Sequence, residues 1–356
     1  MNKNNTRFYE IDFLRFVAAV AVVLFHYMFR GFAQGGYNPI SYAPFDQYAQ
    51  YGYLGVHLFF MISGFVILLT AMKRDVVQFV ISRIVRLYPA FWAGVTFTAI
   101  MTVFFGGDLF SVSFPQYLSN LSMIDGFLGV EPIDGVYWTL LVEIKFYALI
   151  FVLLLLKRIE NIDWFLAAWL VMQMIDIVMP LPKIVQFLLF PEWAPYFISG
   201  ALFYLIKLKG MKIQYLGLLG ISFVLALYQV KNEVVTLSEY YSTVFNPIIP
   251  MAVITFFFLI FILILANKLT FFRSTWVIKV GALTYPLYLV HQNIGFMLFN
   301  LFEGIVNKYV LLVAVIAFAL LVAWLIHRLV EKNLSLTLKN ALNQLECKAK
   351  VLLSWR

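Results

Sequence analysis

The chain predicts an all-α fold, a polytopic integral membrane helical bundle of about ten transmembrane helices with both termini cytoplasmic. Composition is the first reason. Of its residues 63% are hydrophobic and 12% charged, and the mean hydropathy is +0.89, where a globular domain carries about 25% charge. Spacing is the second: apolar runs recur along the 356 residues at close to the roughly 20 residues that cross a bilayer, leaving no room for a separate extramembrane catalytic domain. The third is an asymmetry of the connections, basic on one side and sparing in Lys and Arg on the other.

The runs fall near residues 11–29, 52–72, 90–106, 137–156, 162–180, 190–206, 213–230, 247–266, 277–299 and 309–328. The first, FLRFVAAVAVVLFHYMF, follows Lys3 and Arg7 as a signal peptide would. It exceeds the roughly 7–15 apolar residues of such a segment and carries Arg15, so it is read as a retained helix. The second holds Gly52, Gly55, Ser63 and Gly64, small residues that let helices approach closely. Connections near 30–51 and 107–136 are rich in Gly, Pro, Tyr, Asp, Ser and Asn, a composition suited to turns and exposed loops. Pro180, Pro182, Pro191 and Pro195 interrupt the chain around residues 180–195, from the end of the fifth run into the sixth.

An even number of crossings puts both termini on one side. Assigning that side to the cytoplasm gathers Lys73, Arg74, Arg83, Arg86, Lys157, Arg158, Lys207, Lys209, Lys212, Lys268, Arg273 and the terminal basic residues there, and leaves Arg30, Lys183, Lys231 and Lys308 outside. The net charge of +8 is thereby explained by topology, with membrane lipids and no nucleic acid as partners. Residues 1–335 form the membrane domain and 336–356 a basic cytoplasmic tail. The single cysteine, Cys347, offers neither an intrachain disulfide nor a cysteine metal site.

His26 follows Arg15 by eleven positions. At about 100° per residue the two return to nearly one azimuth, about 16 Å apart along the axis. A neutral imidazole takes a proton from a hydroxyl and returns it, and a cation within a span needs a reason. Two readings stand on the residues alone: a base with a helper cation, or a histidine bonded to a neighbouring helix beside an Arg15 paired with Asp12. In ISRIVRLYPAF, Arg83 and Arg86 are three apart and share a helix face before Pro89; paired guanidinium groups clamp phosphates, and they also fix topology and touch lipid headgroups.

Glu143 and Lys145 lie in VYWTLLVEIKFYALIF, two apart, so each seeks a different partner. Glu143 is about six residues from the outer end of its run, a depth resembling that of His26, where a carboxylate orients an imidazole if the helices are neighbours. In ALTYPLYLVHQN, Tyr285, Tyr288 and His291 recur every three residues, a set that either contacts a hydroxylated acceptor or packs helices. His57 is left open. Glu331 and Lys332 read as ordinary interfacial charges. No glycine-rich phosphate loop, metal-spaced histidine cluster or nucleophile elbow is present.

Taken in order, these segments resemble the membrane-bound acyltransferase-3 family over nearly the full chain: Asp12, Arg15 and His26, then GVHLFFMISGF at 55–65, Arg83 and Arg86 with Pro89, WTLLVEIKFY at 138–147, and LTYPLYLVH at 283–291. The resemblance implies transfer of an acyl group, most often acetyl from acetyl-CoA, to a hydroxyl of an extracytoplasmic carbohydrate such as O-antigen, exopolysaccharide or another surface glycan, in a bacterial inner membrane. It implies His26 as catalytic base, Arg15 as its helper, Arg83 and Arg86 as contacts for the CoA phosphates and Glu143 as partner carboxylate. His291, Tyr288 and Trp138 complete the set as candidate acceptor contacts. Acyl-CoA is expected as a substrate, with no permanently bound cofactor and no metal. The chain departs from the family's pattern at His57, a position often acidic in relatives, and at Asn333, where Pro is frequent. It also lacks the appended hydrolase-like domain of some relatives. A proton-coupled carrier of a sugar or lipid-linked precursor is the alternative, since intramembrane Arg, Glu, Lys and His serve such carriers too.

Overall fold

Helix follows helix along the described residues, 8–270 and 274–354 of a computed structural model, and no strand occurs among them. Lys3, Arg7, Arg273 and Arg356 lie outside the described residues. The chain is an all-α, multi-pass membrane protein. Its helices are α1 (Tyr9–Phe25), α2 (Gly55–Ala71), α3 (Val76–Phe105), α4 (Phe114–Asn120), α5 (Trp138–Leu155), α6 (Ile162–Val178), α7 (Lys183–Leu189), α8 (Ala194–Lys209), α9 (Ile213–Tyr241), α10 (Ile248–Leu265), α11 (Thr275–Val290), α12 (Gln292–Phe302), α13 (Lys308–Leu325) and α14 (Lys332–Ser354). Two π-helical segments, His26–Arg30 and Ile326–Glu331, continue α1 and α13.

Among the described residues, eight helical stretches are long and apolar enough to cross a membrane: Tyr9–Ala33, Asp46–Ala71, Val76–Phe105, Gly135–Leu155, Ile159–Val178, Ile213–Tyr241, Ile248–Leu265 and Lys308–Lys350. The runs expected near 190–206 and 277–299 instead give shorter pieces. Helix α8 has 16 residues, a rise of about 24 Å against a hydrocarbon core of about 30 Å. The 277–299 run divides into α11 and α12 at His291. Pro286 lies inside α11, where its missing N–H weakens the ladder, and the Asn293 N–H is taken by Asp134 Oδ2 at 3.0 Å.

Local chemistry sets the other ends. Asp75 caps α3 by accepting the Gln78 N–H at 2.8 Å, and Ser113 with Gln116 forms a capping box on α4. The third run begins earlier than hydropathy suggests, because α3 starts at Val76 and passes through Pro89 unbroken. The carbonyl that Pro89 cannot serve belongs to Val85, and Ser335 Oγ donates to it at 3.1 Å. Helix continues from α13 through residue 335 into α14, whose Asn343 and Glu346 accept from Gln78 of α3.

The chain divides into two compact units, one of Met1–Gln34, Ser41–Val66 and Leu166–Thr284, the other of Gly35–Ile40, Ile67–Phe165 and Tyr285–Arg356. The first is built around α8, in which every residue from Ala194 to Ile206 is buried, as expected of a helix apolar on all sides. Gly64 and Gly200 bring α2 and α8 into backbone contact: a Cβ on Gly64 would meet the Phe197 carbonyl, and one on Gly200 the Met61 carbonyl. Gly52 and Gly55 likewise face the carbonyls of Ala21 and Ala18 on α1. The glycines expected to pack therefore do so, and they fix the level of α1. In the second unit, Gly94 of α3 admits Leu289 of α11. Asp134, fully buried, ties the turn before α5 to α12 by accepting from Val136 and Asn293.

Candidate functional site

In the first unit α1 is uninterrupted α-helix from Arg15 to Phe25, so the rise of about 16 Å from Arg15 to His26 holds. His26 opens the π-helical segment, a local widening found often at functional sites. Its ring is buried and held at both nitrogens. Nδ1 lies 2.8 Å from the Val22 carbonyl and Nε2 lies 3.1 Å from Arg30 Nη1. A carbonyl only accepts and a guanidinium only donates. Nδ1 therefore carries the hydrogen and Nε2 presents its lone pair, which makes His26 a neutral imidazole with its acceptor nitrogen facing a cation.

Arg30 was expected in an outer loop, but helix continues through Ala33. Its Nε donates to Gln34 Oε1 at 3.0 Å, and Gln34 Nε2 donates to Tyr240 Oη on α9. A polar chain thus runs from buried His26 to exposed Tyr240. Phe25 and Phe29 pack against Tyr241 beside it.

A second polar pair in this unit joins His57 to Glu233, with Nε2 and Oε2 2.9 Å apart. His57 is 1% exposed and is ringed by Tyr53, Trp193 and Tyr196. Burial, then the negative charge of Glu233, raises the Glu192 carboxyl, in the turn before α8, above the usual range. The sequence reading missed this pair because α9 extends to Tyr241, eleven residues past the expected end of its run.

The second unit holds the other candidates. Arg83 is half-buried, donating to Ser82 at 3.2 Å and Thr70 at 3.4 Å, with its guanidinium carbon 5.6 Å from the centre of the Tyr147 ring. Tyr147 donates to Glu143 at 2.8 Å. Glu143, expected as a partner for an imidazole, is thus linked through Tyr147 to the arginine. Arg86 turns elsewhere. Its Nη1 donates to Glu331 Oε1 at 2.6 Å, and Glu331 Oε2 accepts from His327 Nδ1 at 2.7 Å. Glu331 is buried, which corrects its reading as an ordinary interfacial charge. Tyr285 packs on Arg86 and donates to the Leu87 carbonyl, so it belongs with the arginines.

His291 stands at the break between α11 and α12, fully buried, its Nδ1 donating to the Tyr288 carbonyl at 2.8 Å. Tyr288 Oη meets Thr139 Oγ1 at 2.9 Å, and Tyr137 Oη donates to the Leu289 carbonyl. The end of α11 is thereby bound to the start of α5, where Trp138 is 40% exposed. Among the described residues no group of three or more His, Cys, Asp or Glu is placed to hold a metal ion.

A family model described as an acyltransferase domain matches residues 8–328. The chain belongs to the acyltransferase-3 family. Within this acyltransferase the match takes in every residue placed above from α1 to His327, leaving Glu331 just beyond it. The chain is 30% identical over 176 residues to the peptidoglycan O-acetyltransferase OatA of Listeria monocytogenes, covering 43% of this chain and 25% of that protein. It is 29% identical over 157 residues to YrhL of Bacillus subtilis, provisionally given the same designation, covering 38% and 22%. The matches thus take in about a quarter of the length of these curated relatives. No solved structure matches the chain.

Proposed function

We propose that this acyltransferase moves an acetyl group from acetyl-CoA to a hydroxyl of an extracytoplasmic glycan, working in the cytoplasmic membrane of a bacterium. The observation that carries the reading is His26: a buried imidazole whose Nδ1–H is held by Val22 and whose Nε2 presents a lone pair, in a chain whose family transfers acyl groups. The names of OatA and YrhL support acetyl as the group and a cell-wall glycan as the acceptor class.

In the proposed reaction Nε2 of His26 takes the proton of the acceptor hydroxyl as its oxygen attacks the thioester carbonyl. The C–S bond then breaks, and the departing CoA thiolate recovers that proton from Nε2. Arg15 supports charge deeper in the same helix. Arg83 is the main contact for the CoA phosphates, because Arg86 already carries Glu331. Glu143 steadies Arg83 through Tyr147. His291, Tyr288 and Trp138 are assigned to the acceptor.

Radiolabelled acetyl-CoA supplied to membrane vesicles that retain acceptor is the test. Label should enter glycan with wild type and fall to background with His26→Ala. Undiminished transfer by that variant removes the base from the proposal, and an absence of label with acetyl-CoA, succinyl-CoA and longer donors removes the reaction.

A further inference from the structure

We propose that Arg30 is a further catalytic residue of this acyltransferase, holding the His26 lone pair until the acceptor arrives and then donating to the thioester oxygen as it gains charge. The inference rests on the reading of His26 as the base. Nothing in the spacing of the apolar runs assigns Arg30 such a role, since as an outer-loop residue it would be one exposed charge among several.

Three observations place it. Its Nη1 is 3.1 Å from His26 Nε2, so the guanidinium is within one hydrogen bond of the atom that must receive the proton. The π-helical segment begins at His26 and ends at Arg30, so the backbone departs from α-geometry over the interval that joins the two. The other side of the guanidinium is fixed, with Nε donating to Gln34 and Gln34 donating to Tyr240. That leaves the plane of the fork oriented while Nη1 exchanges one acceptor for another.

The exchange balances. In the resting state Nη1–H points at the Nε2 lone pair. An acceptor hydroxyl that donates to Nε2 displaces it, and the released N–H donates to the thioester carbonyl oxygen beside the attacked carbon. As the hydroxyl proton passes to Nε2 and the C–O bond forms, the carbonyl π pair moves onto that oxygen, and a permanent cation stabilises it. Collapse re-forms the carbonyl, breaks the C–S bond, and returns the proton from Nε2 to the thiolate. A resting lone pair engaged by Arg30 also keeps water from acting as the acceptor.

Arg30→Ala, Arg30→Lys and His26→Ala are compared in vesicles by transfer rate against acetyl-CoA concentration, with folded protein counted by size-exclusion of a fluorescent fusion. Arg30→Ala should lower kcat by about 10²–10³-fold, the loss that removal of one oxyanion donor produces, while KM for acetyl-CoA stays within a few-fold. Millimolar guanidinium should restore part of the rate to Arg30→Ala and none to His26→Ala, and Arg30→Lys should fall between. Wild-type turnover by Arg30→Ala, beside an inactive His26→Ala, overturns the role of Arg30 and leaves the base standing. An inactive Arg30→Ala that neither guanidinium nor the lysine variant relieves assigns Arg30 to structure and also overturns it. An active His26→Ala fails the base itself.

Discussion

The two π-helical segments use one backbone device with opposite charges. At His26–Arg30 a histidine faces a cation four residues on; at Ile326–Glu331, His327 faces a carboxylate four residues on. Glu331 makes His327 a donor and at the same time satisfies Arg86, so both groups finish on one shared carboxylate. Arg30 makes His26 an acceptor, and in the proposed reaction that acceptor exchanges the guanidinium for the incoming hydroxyl. On the proposed reading, the sign of the residue at i+4 separates a histidine set for proton transfer from one set for structure.

The largest expected effect comes from exchanging the roles directly. His26→Gln should cost transfer about 10³-fold, in the range of a lost general base, while His327→Gln should leave turnover near wild type once folded protein is counted. Equal losses in label incorporation would break the comparison. Stability should respond the other way. Glu331→Ala strips Arg86 and His327 of a shared, buried acceptor and should cost about 1–3 kcal/mol, read from thermal unfolding in detergent, whereas Arg30→Ala should cost less, since its bonds to the His26 ring and Gln34 go to uncharged groups. A sharper form asks which arginine meets the donor. Arg83→Ala should raise KM for acyl-CoA about tenfold, the equivalent of about 1.4 kcal/mol, and Arg86→Ala by less; the reverse order would show that CoA displaces Glu331. The smallest effect is expected at Ser335→Ala, which leaves the Val85 carbonyl below Pro89 unserved at a cost of about 0.5–1.5 kcal/mol.

Hydropathy and spacing exposed much of this. The placing of Arg15 and His26 on one face of α1, the glycine contacts and the adjacency of Arg83 and Arg86 on α3 all depend on local periodicity. What escaped lay at run ends or far along the chain. A hydropathy run stops at its first charges, so it closed at residue 29 and at 230, while the helices continue to Ala33 and Tyr241; Arg30 and Glu233 fell into loops for that reason. The i+4 spacing of His26 with Arg30 and of His327 with Glu331 was there to be seen. Glu331 finds Arg86 across 245 positions, a pairing no local pattern encodes. The division at His291 is similar, since Pro286 weakens the run but Asp134, from another segment, settles where it parts.

The four histidines also make the protein its own spectrometer. His26, His291 and His327 carry their ring hydrogen on Nδ1, whereas His57 directs Nε2–H to Glu233. A sample labelled with nitrogen-15 at histidine alone would display three rings of one tautomer and one of the other, shifted by their neighbours: a carbonyl and a guanidinium at His26, a carbonyl at His291, and carboxylates at His57 and His327. Addition of an acceptor hydroxyl would then be visible at the Nε2 resonance of His26 before any product accumulates.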